Sequence, residues 1–433
     1  MQQFMGAFAR ITLITALAGT GFWLMPATSA SANWLGSEKQ LTTGSVLKEA
    51  PDVSGNRMVY SDYRNQRSVG DPNDPDELFD IRVMNLKTGS DKLLTPKHDA
   101  YYNAAMSDDR VVWTSSDGKK FGLWYYNLAT GKRTKLPFLG DAYRINGKRM
   151  CFTLNHRIWV YDFVSHKRKA VSPASQYAGS CDIYSKTVVW SAYTTATKDD
   201  IYSYSLSSKK LTTITTAAGS QDLPRVDHDL IVWMDASLAD NDVFVYDLTT
   251  KVQTRVPSPS GNQSFPEISA GKVVYEDDRA NPVNTQIYLY DVATGIETAA
   301  THSTGSSWSA DISKGRLVYE DDRTGDIQLY TSTITPPVVT ATAIASVPKG
   351  IAPSVVGTVR TGGRGFIGSV VVHLDYSTDG KTWKAGNTAV TTFSGSYTVS
   401  GPVIVHKTWF RVRFAGNVSL APAVSARIKV KVT

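Results

Sequence analysis

Short apolar runs that end in an aromatic residue recur along the chain. They read Met58-Val59-Tyr60, Val111-Val112-Trp113, Met150-Cys151-Phe152, Val188-Val189-Trp190, Ile231-Val232-Trp233, Val273-Val274-Tyr275 and Leu317-Val318-Tyr319. Seven residues before each aromatic stands another apolar residue: Val53, Met106, Ile145, Ile183, Val226, Ile268 and Ile312. Turn formers such as Ser54-Gly55-Asn56 and Asn146-Gly147-Lys148 lie between. An apolar strand, a tight turn and a second apolar strand predict a hairpin in every copy.

A third strand is predicted after each hairpin by alternating segments such as Leu123-Trp124-Tyr125-Tyr126-Asn127-Leu128 and Ile287-Tyr288-Leu289-Tyr290-Asp291-Val292. Successive starts of this segment are 42, 35, 43, 42, 44 and 40 residues apart. A turn such as Thr88-Gly89 then leads to a fourth strand, as in Lys92-Leu93-Leu94-Thr95. Four strands per repeat of about 40 residues is the signature of a propeller blade. The expected fold is all-β: a seven-bladed β-propeller over residues 33–333. No fourth strand is evident between the seventh copy and Pro336-Pro337, whereas Glu38-Lys39-Gln40-Leu41-Thr42-Thr43 looks like one. That N-terminal strand is expected to complete the last blade and remove a free sheet edge.

Val274-Tyr275-Glu276-Asp277-Asp278-Arg279 followed by Gln286-Ile287-Tyr288-Leu289-Tyr290-Asp291-Val292-Ala293-Thr294-Gly295 resembles the repeat of TolB-type propellers of bacterial secreted and surface proteins. Val318-Tyr319-Glu320-Asp321-Asp322-Arg323 repeats the motif. The resemblance covers about residues 38–333. Many members of that family have six blades, so six blades is the alternative to seven. The scaffold serves binding proteins, lyases and peptidase gates alike, so it implies a fold more than an activity.

Residues 1–32 read as a secretory leader. Arg10 precedes the apolar stretch Ile11 to Met25, Pro26 ends it, and Ala30-Ser31-Ala32 supplies a small-residue cleavage pattern. Fifteen residues are too few to cross a hydrocarbon core of about 30 Å. The expected localisation is therefore secreted or cell-surface, with no transmembrane anchor in the mature chain. Residues 334–338 contain Pro336-Pro337 and read as a linker. Residues 339–433 alternate polar and apolar, as in Trp409-Phe410-Arg411-Val412-Arg413-Phe414, with Asp379-Gly380 as a hairpin turn. They predict a small β-sandwich of immunoglobulin or fibronectin type, a spacer or adhesion module without chemistry of its own.

Composition narrows the classes. Of 433 residues 42% are hydrophobic, enough to form a core and to exclude wholesale disorder. Two Cys exclude a disulfide-dense scaffold and a multi-Cys zinc site. The formal net charge of +7 hardly supports nucleic-acid binding, since it reads as spread along a β-scaffold. The seven His are scattered, and there is no G-x-S-x-G, H-E-x-x-H or P-loop. No α/β catalytic domain follows the repeats, which argues against a propeller peptidase.

Four sets of candidate residues remain. Asp62 with Arg64, Asp277 with Arg279 and Asp321 with Arg323 follow the second strands, where they would grip a polar ligand or tie neighbouring blades together. Because the motif repeats, the tie is favoured. In the long connection from Ser61 to Asp80, Asp71, Asn73, Asp74 and Asp76 offer hard oxygen ligands for Ca²⁺. The two prolines and the lack of a suitably placed Gly favour a solvated loop and no cofactor. Tyr101, Tyr102, Tyr143, Tyr177, Phe265 and Trp308 sit at or before first strands, where they would ring a channel mouth and stack on sugars or pack between blades. Cys151 and Cys181 lie in neighbouring copies, either as a disulfide that export permits or as small buried apolar residues.

The reading that follows is a monomeric, noncatalytic binding or adhesion protein. Its partner would be a cell-wall or extracellular polymer, glycan or protein recognised by the propeller rim. The alternative is a polysaccharide lyase or hydrolase working in the central funnel.

Overall fold

The hairpins form where the repeat places them. In the computed structural model of the chain, the described residues are 38–433 except 64–78, 96–99, 117–120, 195–196, 238, 258–259, 280–282, 293–294, 335–337, 361–367 and 416–422. The leader, Arg64, Asp71, Asn73, Asp74, Asp76 and Pro336-Pro337 lie outside them. Every regular element among the described residues is a strand.

Seven sheets of four antiparallel strands follow one another. Their first strands are Lys48–Ser54, Ala100–Ser107, Asp141–Asn146, Tyr177–Tyr184, Gln221–Asp227, Gln263–Ser269 and Ser307–Ser313. Each first strand lies beside that of the next sheet, and the seventh lies beside the first. This is the arrangement of a β-propeller, with first strands innermost. The seventh sheet runs Ser307–Ser313, Arg316–Asp321, Gln328–Thr333 and then Lys39–Gln40. Lys39 pairs with Thr331 and Gln40 with Tyr330.

The aromatic ends of the hairpins are the anchors of this packing. Tyr60, Trp113, Phe152, Trp190, Trp233, Tyr275 and Tyr319 are all fully buried. Both faces of each sheet meet a neighbour, so burial of such rings stabilises by about 1.5–3 kcal/mol each. Four of them stack on the ring facing them in the third strand: Trp190 on Tyr202, Trp233 on Phe244, Tyr275 on Tyr288 and Tyr319 on Tyr330.

A chain of hydrogen bonds runs around the turns between first and second strands. It starts from the residue after each apolar anchor of the first strand. Ser54 Oγ accepts the Asp108 N–H at 2.8 Å, Ser107 Oγ that of Gly147 at 2.9 Å, and Asn146 Oδ1 that of Ser185 at 3.1 Å. The Tyr184 hydroxyl meets His228 Nε2 at 2.8 Å, and Asp227 Oδ2 accepts the Ala270 N–H at 2.6 Å. Ser269 Oγ accepts the Lys314 N–H at 3.0 Å, and Ser313 Oγ accepts that of Gly55, also at 3.0 Å. The last bond returns to the first sheet.

Cys151, in the second strand of the third sheet, and Cys181, in the first strand of the fourth, are joined as a disulfide. Ile334 donates its N–H to Gly315 O at 2.6 Å, so the seventh sheet still holds the chain there. Two further sheets follow. Val338–Ala343, Ser354–Arg360 and Ser396–Ser400 form one. The other runs Ser346–Val347, Ile428–Val432, Thr408–Phe414, Val371–Ser377 and Lys384–Val390, with Ala423–Val424 beside Thr408–Phe414. Val355, Val359, Val399, Val372, Leu374, Phe410, Val412 and Val430 from the two sheets share one apolar core.

Candidate functional site

Strand periodicity alone sends alternate side chains of a first strand to opposite faces. Every first strand here is interrupted by a register shift, between Glu49 and Asp52, Tyr102 and Ala105, Asp141 and Arg144, Ala178 and Cys181, Asp222 and Arg225, Ser264 and Glu267, and Trp308 and Asp311. In five of them the bulged residue has a positive φ without being glycine: Ala50, Ala142, Leu223, Phe265 and Ser309, at 45–55°. Such a backbone costs roughly 1–3 kcal/mol and persists only where its surroundings hold it. A bulge re-aims the side chains that follow it. Two residues on stand Asp52, Arg144, Arg225, Glu267 and Asp311, and the same place is taken by Asp182 in the fourth sheet and Ala105 in the second.

These side chains converge. Arg144 Nη2 donates to Glu267 Oε1 at 2.8 Å, which joins the third sheet to the sixth across the channel. Arg225 Nε donates to the same oxygen at 2.7 Å. Asp52 Oδ2 lies 4.0 Å from Arg144 Nη1. Asp311 Oδ2 accepts the Val53 N–H at 2.5 Å, and Asp182 Oδ2 accepts that of Val226 at 2.8 Å. The cluster borders a cavity of about 530 Å³ lined by all seven first strands. Lys148, Arg149, Lys314, Asp108, Asp227 and His228 also line it.

Burial dominates the acids. It pushes Asp52 up to about 7 against the pull of Arg144, with Glu267 adding to the rise. Burial also raises Asp311, with the Asp52 and Glu267 carboxylates adding to it, and raises Asp182. For Arg144 burial opposes the charge, but Glu267 and Asp52 outweigh it and hold the guanidinium protonated. Chemically this is a polar, mixed-charge plug whose carboxylates already accept guanidinium or backbone donors.

The Glu-Asp-Asp-Arg motif turns out to be four separate structural devices. Glu276 accepts the Ser309 N–H at 2.8 Å and Glu320 accepts that of Ala50 at 2.8 Å. Each therefore holds the positive-φ bulge of the next sheet. Burial pushes Glu276 up to about 7 and Glu320 to about 8. Asp277 and Asp321 are buried and paired with Arg279 and Arg323 at 2.5 and 2.6 Å. Arg279 also bonds Glu297 at 2.6 Å and lies over Tyr288; Arg323 also bonds Glu38 and lies over Tyr330. Asp278 and Asp322 accept the Asn262 and Ser306 N–H groups at 2.7 Å each.

The candidate residues are thus placed apart. Asp62 is buried with Arg82 Nε at 3.6 Å. Asp62, Asp277 and Asp321 sit at the ends of second strands within their own sheets and not in the channel cluster. Tyr143 is buried, with its hydroxyl 3.4 Å from Thr114 Oγ1 across neighbouring sheets. Tyr101 is in the first strand of the second sheet, and Trp308 is half-buried in that of the seventh. Tyr177, Tyr193 and Phe265 are 56, 48 and 54% exposed. Tyr177 faces Tyr193 in register and stacks on His156 with ring centres 3.6 Å apart.

No family model and no curated protein matches the chain. Among solved structures it resembles the β-propeller domain of the Trilobed protease from Pyrococcus furiosus, at 14% identity over 67% of this chain and 95% of that one, with a TM-score of 0.50. It resembles the acylaminoacyl peptidase of Pyrococcus horikoshii at 12% identity, over 73% of this chain but only 57% of the peptidase, with a TM-score of 0.50. TolB from Acinetobacter baumannii is matched at 14% identity over 64% of each chain, with a TM-score of 0.37. The first two likenesses show the β-propeller fold.

Proposed function

We propose that the chain is an exported, noncatalytic binding protein: a seven-bladed propeller, closed by its N-terminal strand, carrying an immunoglobulin or fibronectin-like module. Its partner would be a polymer, glycan or protein of the cell envelope. The observation that carries this reading is a set of half-exposed rings at the start of innermost strands, with Tyr193 opposite Tyr177 in the adjacent second strand. Tyr177, Tyr193 and Phe265 offer flat apolar faces to solvent, and a sugar or peptide covers such faces well. The Asp-Arg pairs, in contrast, are already used inside their own sheets. Binding is measured on a panel of cell-wall glycans and uronic polymers. Tyr177→Ala with Phe265→Ala is expected to weaken the positive interaction by about tenfold with an unchanged Tm. Unchanged affinity overturns this assignment of the rim.

A second reading, a lyase or hydrolase in the funnel, draws support from one feature. Asp52, Glu267 and Asp311 converge beside a cavity, and Asp52 is pushed up to about 7. Turnover of any polymer in the same panel, abolished by Glu267→Gln in a folded protein, would replace the binding reading with this one.

A further inference from the structure

Charge is distributed unevenly along this chain. Residues 338–433 hold 11 Lys and Arg against 2 Asp and no Glu, while the rest of the chain holds 35 against 37. Such asymmetry between regions points to an anionic partner for the basic one.

The excess gathers on one face. Strand Thr408–Phe414 buries Phe410, Val412 and Phe414 and turns Trp409, Arg411 and Arg413 the other way. Beside it, Ile428–Val432 buries Val430 and exposes Lys429 and Lys431. Trp409 and Lys429 are register partners, so the two strands present these residues on the same side. Two indoles organise the cations. Lys407 Nζ and Lys429 Nζ lie 4.7 and 5.7 Å from the centre of the Trp409 ring. The Arg411 and Arg427 guanidiniums lie 4.4 and 5.9 Å from that of Trp383.

Among the described residues one carboxylate pairs with the cations of this face, and it is buried; the exposed Asp379 accepts from Ser377, Lys381 and Thr382 instead. Asp375 accepts from Arg411 Nε at 2.9 Å and from Arg413 Nε at 2.7 Å. Burial opposes its charge, but those bonds prevail and hold its carboxyl below the usual range. Asp375 therefore fixes two guanidiniums while neutralising only one. Lys407, Arg427, Lys429 and Lys431 make no ion pair among the described residues. Neighbouring like charges repel unless an anion lies over them.

We propose that this outer face of the larger sandwich sheet is a docking surface for an anionic polysaccharide. The rows of lysine and arginine meet the acidic groups of the polymer, and the Trp383 and Trp409 rings keep the cations in place. The choice of a polysaccharide over a nucleic acid rests on the export proposed above. The charge complementarity itself does not depend on the propeller rim.

The test uses the chain from residue 33 on, with polygalacturonate as the probe. Dextran, duplex DNA and phosphatidylglycerol vesicles serve as comparison arms. Polygalacturonate is expected to bind at low salt and to be released as salt rises, while dextran is not bound. Lys407→Gln with Lys429→Gln and Lys431→Gln is expected to weaken binding by about tenfold or more. Tyr177→Ala with Phe265→Ala is run in parallel: loss of polygalacturonate binding in the lysine variant supports this face, and loss only in the rim variant overturns it. The proposal is overturned by no binding at low salt, by equal binding of dextran, by an undiminished affinity of the triple variant, or by DNA or vesicles binding more tightly than polygalacturonate.

Discussion

The seven-sheet ring and the C-terminal sandwich use the same charged residues for opposite purposes. In the ring, Arg279 and Arg323 face buried carboxylates, and Arg144 spans the channel to Glu267. In the sandwich, one buried Asp375 serves two arginines, and the lysines around them stay in water. The difference is one of desolvation. A sheet packed on both faces must match every charge it buries, since an unmatched one costs several kcal/mol. A sheet packed on one face leaves the other to solvent, where unmatched charge is cheap and available to a partner.

The comparison breaks most visibly at the N-terminal strand. Leu41 N–H bonds Leu329 O at 2.8 Å, Thr42 Oγ1 receives the Leu329 N–H at 2.9 Å, and Glu38 bonds Arg323. Deleting residues 38–43 strips the seventh sheet of its outer strand and Arg323 of an anion. A fall in Tm of roughly 10 °C or more is expected, or aggregation through the bared edge. Calorimetry checks it, and an unchanged Tm would show that these contacts add nothing to the ring.

A smaller effect concerns the buried acids. Glu320 and Glu276 hold their protons to about pH 8 and 7 in the folded chain, against ordinary carboxyl values when unfolded. Between those limits the folded state binds more protons than the unfolded one, so stability falls as pH rises. The loss begins near pH 4–5 and levels off above pH 8. Glu320→Gln keeps an acceptor for the Ala50 N–H but cannot ionise. It is expected to flatten the slope of Tm against pH from 5 to 8 and to raise Tm at pH 8. A slope equal to that of the unsubstituted chain would remove Glu320 as its source.

The smallest effect is expected on the sandwich. Lys429→Gln with Lys431→Gln changes two solvated charges, and folding stability should move by no more than about 0.5 kcal/mol. A large loss would show that these lysines serve the fold, as the arginines of the ring do.

The strand pattern was legible in the sequence because a repeated unit must bury the same positions each time. The apolar-aromatic offset named seven fully buried anchors, and of the strand expected over Glu38 to Thr43 only Lys39–Gln40 forms, paired with Thr331 and Tyr330. The Asp-Arg pairs read from sequence as ties between neighbouring blades, whereas Asp277 and Asp321 pair with Arg279 and Arg323 inside single sheets. The channel charges do have a signal in the sequence: the residue just before the apolar anchor is charged in six of seven copies, from Asp52 to Asp311. The polar alternation of the last strands carries a charge imbalance that is equally legible, 11 Lys and Arg against 2 Asp over residues 338–433.

What the sequence alone determined is therefore periodic: where strands lie and which of their residues are apolar. Tertiary structure decided which charges meet. Arg144 and Glu267 are 123 positions apart, and only the closing of the ring brings them to 2.8 Å. No local rule predicts that a bulge will turn Asp52 and Asp311 toward the same cavity, because the direction of a side chain after a bulge is set by the neighbouring sheet. Glu320 likewise acquires its raised pKa from burial in the packed sheets, against the pull of the Ala50 N–H 270 positions away. Burial and partner are properties of the packed ring, and they decide whether a charge becomes a tie, a plug or an open face.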